Sequence, residues 1–197
     1  MLYNYSGGAI VNTSTIILIV IVALIVLIGL YIGKTYNSLV RLRNNVKDQW
    51  SQIDVLLKRR ADLIPNLVET VKGYASHEKE TLEEVINARN KVVGAKNTED
   101  EIKADGELSR ALGRLMAVAE SYPDLKANTN FLDLQNNLKD TEDKIQYARQ
   151  FYNDSVLKYK NKMEVFPSNI IASMFNFEKE TFFEIDEASK EVPKVQF

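Results

Sequence analysis

The first 33 residues differ from the rest of the chain in their hydrophobic pattern. Residues 16–32 are Ile, Leu, Val, Ala, Gly and one Tyr, without a polar interruption. A helix of this length spans about 25 Å, and residues 14, 15 and 33 extend it toward the roughly 30 Å hydrocarbon core of a bilayer. The pattern therefore predicts a transmembrane helix over 16–33, which would contact membrane lipid, preceded by a short tail over 1–15.

A cleaved signal peptide and a buried core helix are the alternatives to a membrane anchor. A signal peptide carries basic residues before its apolar run and small residues at a cleavage site after it. Residues 1–15 contain no Lys or Arg, and no Ala-x-Ala pattern follows the run. The sequence favours an uncleaved anchor.

Basic residues follow the apolar run immediately, at Lys34, Arg41, Arg43 and Lys47. Because positive side chains close to a membrane span stay in the cytoplasm, they act as an orientation signal. We expect a single-pass protein of the cell membrane, with its N-terminus outside and residues 34–197 in the cytoplasm.

Beyond the span, apolar residues recur every three or four positions, as they do on one helix face. No Pro or Asn-Gly breaks the chain before Pro65, so the membrane helix should continue into the first helix of the soluble domain. Pro65 should kink that helix or mark its end. The first part of the apolar stripe is narrow, like a coiled-coil seam, and predicts a self-association surface. Its residues are Leu39, Leu42, Val46, Trp50 and Ile53.

Three further helices are predicted from the same periodicity, over about 76–94, from 98 to just before Pro123, and over about 125–166. Short links make consecutive helices antiparallel. The predicted fold class is all-α, with one N-terminal transmembrane helix continuous with an antiparallel bundle of about four long helices over 34–166.

The C-terminal tail, 167–197, is rich in phenylalanine. An antiparallel arrangement returns the last long helix to the membrane end of the bundle. We therefore expect the tail to pack there, on the early part of the first helix. Contact with lipid or with a partner protein is the alternative.

Composition excludes several kinds of chemistry. The net charge is −2, from 25 basic and 27 acidic residues, which gives no reason to expect a nucleic-acid partner. The absence of cysteine excludes disulfides, thiolate metal sites and a cysteine nucleophile. The chain has a single histidine, His77. An H-E-x-x-H zinc site needs two histidines, and so does a di-iron centre of two Glu-x-x-His pairs. No further histidine is present to act as the base for a serine nucleophile. We predict no enzymatic activity, no cofactor and no metal.

One polar cluster surrounds Pro65. It could be an ordinary charged helix face with local ion pairs. Alternatively, it could form a structural network between the first helix and the start of the last long helix, or bind a ligand directly. The residues of the predicted network are Arg59, Arg60, Asp62, Asn66, Glu69, Asp124 and Asn128, with Asn130 as a further partner.

Several long runs of this chain resemble the LemA family. They are Tyr36–Lys47 (YNSLVRLRNNVK), Trp50–Asp54 (WSQID), Leu57–Ala75 (LKRRADLIPNLVETVKGYA), Ala117–Asn128 (AVAESYPDLKAN), the pairs Tyr152-Asn153 and Phe166-Pro167, and the end Pro193–Phe197 (PKVQF). The resemblance covers nearly all of 36–183. Asn176 departs from it, because a glycine would be expected there.

The resemblance implies a bacterial protein with a single N-terminal span and a cytoplasmic helical bundle. It implies no enzymatic activity, because none is established for the family. It also implies association with membrane-protein quality control beside membrane proteases and, in one branch, with magnetosome membranes. We therefore expect a non-enzymatic membrane scaffold that forms homo-oligomers at the cytoplasmic face. An adaptor or regulator of a membrane protease is the alternative.

Overall fold

The computed structural model describes residues 12–183, and within that range it is helical without strands. The predicted all-α class is therefore confirmed. Most of the predicted N-terminal tail and the end of the phenylalanine-rich tail lie outside the described residues. The elements are α1 (Thr13–Lys72), α2 (Lys79–Gly94), α3 (Thr98–Ala119), α4 (Pro123–Lys126), α5 (Thr129–Glu164) and α6 (Ser168–Met174).

Helix α1 joins the apolar segment to the bundle without interruption, as predicted. Its 60 residues correspond to a length of about 90 Å. Its N-terminal part has a mean hydropathy of 3.3 and none of that window is buried by the protein, so α1 is long and apolar enough to cross a membrane. The second half enters the core.

Helices α1 and α5 form the main pair of the bundle and run antiparallel. The side-chain amide of Asn45 donates to Ser155 Oγ at 3.0 Å, and the rings of Trp50 and Tyr152 lie 5.2 Å apart. Residue numbers therefore increase along α1 in the direction in which they decrease along α5. Helices α2 and α3 form a hairpin that packs on α1 mainly through α2. The fully buried centre includes Ile53, Leu57, Ile64, Leu67, Leu108, Leu115 and Ile145.

Helix α1 does not end at Pro65, so of the two outcomes expected there, a kink or an end, the end is excluded. Proline has no N–H, and in a helix it leaves the carbonyl four residues earlier without its usual donor. That carbonyl belongs to Ala61, and Arg89 Nε of α2 donates to it at 3.3 Å. A side chain from the neighbouring helix replaces the missing backbone donor, and α1 continues to Lys72.

Asparagine side chains cap two of the helices. Asn97 Oδ1 accepts from the backbone N–H of Asp100 at 2.9 Å, and Asn128 Oδ1 accepts from that of Phe131 at 3.0 Å. Such caps satisfy N–H groups that have no partner inside the helix. Helix α2 has no side-chain cap and starts at Lys79, three residues later than expected.

The chain reverses direction after the short helix α6, which was not predicted. Asn176 adopts a positive φ of 52° in this turn. Glycine favours that region most, and asparagine is among the few other residues that visit it readily. The departure from the family pattern at Asn176 therefore keeps the left-handed turn. Residues 177–183 then continue without helix or strand.

Candidate functional site

A buried charge network links three helices at the middle of the bundle. Arg60 of α1 is 5% exposed, and its guanidinium donates to Asp105 Oδ1 at 2.8 Å and to Ser109 Oγ at 3.0 Å. The same guanidinium lies 2.9 Å from a carboxylate oxygen of Glu142 on α5. Asp105, on α3, is fully buried. Arg60 is thus the central cation between α3 and α5.

Asp105 also accepts from Arg149 of α5 through its second carboxylate oxygen. Two arginines and two carboxylates, including Glu142, give the group no net charge. Buried charges are tolerated when they are paired in this way, and removal of one partner leaves an uncompensated charge. The network therefore sets the relative positions of α1, α3 and α5.

The sequence contained a signal for Asp105 that the predicted network did not use. Asp105 is spaced by three residues from both Ile102 and Leu108, and so shares the apolar face of α3. A carboxylate on such a face requires a buried cation, and Arg60 lies on the core-facing side of α1.

The predicted partners of the polar cluster around Pro65 must be corrected. Arg60 pairs with Asp105 and Glu142 rather than with the start of α5. Asn128 instead caps α5 and donates to the Tyr74 hydroxyl at 2.9 Å. Physically, Arg60 lies level with the middle of α5, whereas Asp124 and Asn128 precede that helix. The other residues of the predicted network on α1 are exposed: Arg59, Asp62, Asn66 and Glu69.

The predicted self-association stripe is covered by the same chain, and this corrects its proposed role. Leu39 and Ile53 are fully buried and Val46 is 1% exposed. Leu42 and Trp50 are half-buried and pack against the same core. The periodicity located a buried face correctly, but α5 and the C-terminal segment cover it.

The C-terminal segment is held along α5 by hydrogen bonds to its backbone. The Tyr159 hydroxyl donates to the Glu178 carbonyl at 2.9 Å, and the Tyr152 hydroxyl donates to the Thr181 carbonyl at 2.7 Å. We call residues 177–183 the strap. Because these bonds reach backbone atoms, they fix the path of the strap and leave its side chains to pack separately.

The strap ends in a paired contact between Asn153 and Phe183. The Asn153 amide donates to the Phe183 carbonyl at 3.0 Å, and its oxygen accepts from the Phe183 N–H at 2.8 Å. The Phe183 ring is 3% exposed and lies 4.2 Å from the Arg149 guanidinium. Arg149 therefore contacts both the strap and the buried network.

Burial raises the pKa of the Tyr152 hydroxyl to about 12, and the nearby Glu180 carboxylate adds to the effect. Burial also raises the pKa of Tyr159. Both phenols therefore stay protonated well above neutral pH, and each keeps the O–H that holds the strap.

The described residues contain little that resembles catalytic machinery. Within residues 12–183, no group of three or more His, Cys, Asp or Glu side chains is placed to hold a metal ion. Burial raises the pKa of Glu101, with a further contribution from Asp54. A groove of about 670 Å³ between α1 and α2 is lined by Pro65, Val68, Ile86 and other side chains, and Glu101 is not among them.

Of the four residues of the orientation signal, three are exposed: Lys34, Arg41 and Lys47. The fourth, Arg43, lies 5.3 Å from the ring centre of Phe177 in the strap. All four follow the apolar segment on the side that carries the bundle.

Comparison with known proteins points to one family. The sequence model of the LemA family matches residues 49–197. Protein LemA of Metamycoplasma hominis is 26% identical over 163 residues, which cover 81% of this chain and 73% of the relative. Magnetosome protein MamQ 2 of Paramagnetospirillum magneticum is 26% identical over 175 residues, which cover 76% of this chain. Magnetosome protein MamQ of Magnetospirillum gryphiswaldense is 25% identical over 174 residues, which cover 75%. The match spans 64% of the length of both magnetosome proteins.

Proposed function

The chain belongs to the LemA family, and from this premise and the structure we propose that it is a non-enzymatic, membrane-anchored scaffold that assembles with copies of itself. The observation that carries the proposal is an exposed aromatic pair on a bundle that a continuous helix connects to a membrane span. Its relatives, Protein LemA and magnetosome protein MamQ, do not bear the names of enzymes.

The membrane placement rests on α1. Its apolar side chains from Ile16 to Leu30 are half or more exposed to their surroundings, an arrangement that is stable in hydrocarbon and unfavourable in water. The basic residues Lys34, Arg41, Arg43 and Lys47 support a cytoplasmic bundle and an external N-terminus.

The rigidity of the connection follows from the same helix. No loop separates the span from the bundle, and α1 continues past Pro65 with support from Arg89. A bundle fixed to the span in this way presents the same faces to every neighbour in the membrane plane. Tethering to a membrane also raises the effective concentration, so weak lateral contacts suffice for assembly.

The proposed assembly surface is an aromatic pair on the outer face of α5. Tyr147 is 67% exposed and Phe151 is 60% exposed, and the two residues are one helical turn apart. Aromatic side chains are enriched at protein interfaces because they bury a large area with little loss of conformational freedom. This surface replaces the covered stripe as the proposed contact between copies.

The test is gentle extraction of the full chain, followed by sizing and mass spectrometry. The double substitution Tyr147→Ser with Phe151→Ser should reduce the size of the assembly. Leu157→Ser is the matched control, because Leu157 is 48% exposed on another face of α5 and its loss should leave the size unchanged.

Two results would contradict self-assembly through this surface. One is an unchanged assembly after the double substitution. The other is a monomer that travels with a different protein in stoichiometric amount. If that protein were a membrane protease, an adaptor role would replace the scaffold.

A further inference from the structure

The segment between the end of α5 and the strap has an unusual composition. From Val165 to Phe177 no residue is charged, whereas 26% of the whole chain is Asp, Glu, Lys or Arg. Charged residues bracket it directly, Glu164 before and Glu178 after. The segment includes α6.

The apolar side chains of this segment divide between two faces. Ile171 and Ala172 of α6 are buried, and α6 packs against α1. The opposite face is open: Phe166 is 73% exposed, Ile170 57% and Met174 55%. Val165 and Phe175 are exposed as well. We call these five exposed side chains the α6 patch.

One end of the α6 patch, at Phe175, lies level with the end of the membrane span. The ring of Phe175 is 4.8 Å from that of Tyr36. Tyr36 follows Gly33, the end of the predicted span, by three residues, or about 4.5 Å along the helix. The headgroup layer on each side of the hydrocarbon core is about 5–7 Å deep. Phe175, at the end of α6, is therefore at the depth of that layer.

We propose that the α6 patch inserts into the cytoplasmic headgroup layer as a second membrane contact beside the span. The inference rests on the membrane placement proposed above. The partner is the apolar part of the lipid surface, because the segment carries no basic residue that would select anionic headgroups. Continuity with the span distinguishes this patch from the Tyr147 and Phe151 surface, which lies on the outer face of α5 farther from the span.

A second contact has a mechanical consequence. A single helix crossing a bilayer can rotate about its own axis and tilt. Insertion of the α6 patch at one side of α1 restricts the tilt and holds the bundle at a set angle to the membrane. Neighbouring copies then meet at the same height and tilt.

The test uses the natural absence of cysteine, which makes single-cysteine variants unambiguous. The full chain is reconstituted in phosphatidylcholine vesicles with an NBD probe on Ile170→Cys or Met174→Cys. Val93→Cys on α2, at a position 59% exposed and outside the proposed assembly surface, is the exposed control on the bundle, and Leu24→Cys is the control inside the span. Quenching by lipids that carry a shallow or a deep nitroxide and reduction by aqueous dithionite are measured for each probe.

The proposal expects lipid quenching of the Ile170 and Met174 probes and at least a fivefold slower reduction than at Val93. Reduction as fast as at Val93 would overturn it. Protection from both lipid and water would also overturn it, because the patch would then be covered by protein. Failure of the membrane placement is recognised separately, because the Leu24 probe would then escape deep lipid quenching.

Discussion

Arg89 Nε donates a hydrogen bond of 3.3 Å to the backbone carbonyl of Ala61. This carbonyl is the one that loses its helical donor because Pro65 follows four residues later. An arginine on α2 therefore supports the continuity of α1 at its weakest point. The contact also ties the α2–α3 hairpin to the helix that carries the bundle.

Substitution of Arg89 by alanine should destabilise the protein by about 1 kcal/mol, because the Ala61 carbonyl is left without a protein donor. In a Pro65→Ala background the loss of stability from Arg89→Ala should be smaller, because residue 65 then supplies a backbone N–H to the Ala61 carbonyl. The free energy of unfolding of the full chain in detergent, measured with urea, tests both statements.

Arg114→Ala is the control for that experiment. Arg114 forms an exposed ion pair with Glu84, and pairs of this kind contribute about 0–1 kcal/mol. An equal loss from Arg89→Ala with and without Pro65 would show that the carbonyl contact is not the reason for its effect.

Asp105→Asn should be much more damaging, with a loss of about 3–5 kcal/mol, because Arg60 and Arg149 would keep their charge without this carboxylate. Asp140→Asn is the matched control: Asp140 pairs with Lys144 at the surface and its side chain is 52% exposed, so the change should be about 0–1 kcal/mol. The same urea measurement applies. Similar losses for the two variants would argue against a stabilising role for the buried network.

The long helices could be predicted because a period of three to four apolar residues is a strong signal over many turns. The continuity of α1 followed from the absence of breakers before Pro65. The contact that supports α1 at Pro65 could not be predicted, since it comes from Arg89, about 24 positions along the chain and on another helix. Helix α6 was missed because seven residues are too few to show a helical period.

Periodicity also identifies a buried face without identifying what covers it. The stripe through Leu39 and Ile53 was read correctly as an apolar face, but a second copy and the chain's own α5 satisfy that pattern equally well. The Arg60 partners depend on the register between helices, which one sequence does not contain. Tyr147 and Phe151 lie off the periodic apolar face of α5, and their spacing alone does not distinguish them from core residues; their exposure does.

The strap should loosen when Asn153 is replaced by alanine. The substitution removes both hydrogen bonds to the Phe183 backbone, and each such bond contributes about 0.5–1.5 kcal/mol. The amide of Phe183 should then exchange with deuterium at least several times faster. Asn153→Asp is the control, because it keeps the acceptor for the Phe183 N–H and should accelerate exchange less. Unchanged exchange in Asn153→Ala would mean that packing of the ring alone holds the strap.

Loss of the Tyr152 proton should weaken the protein at high pH. Burial raises the pKa of Tyr152 from 10.0 to about 12, so the folded state retains a proton that the unfolded state releases first. The stabilisation is present below pH 10 and is lost as the pH rises toward 12. The difference in unfolding free energy between the natural chain and Tyr152→Phe, measured with urea from pH 8 upward, isolates this effect from other titrations. The difference should stay constant to about pH 10 and then move in favour of Tyr152→Phe, and a flat difference across that range would disprove the role of the phenol.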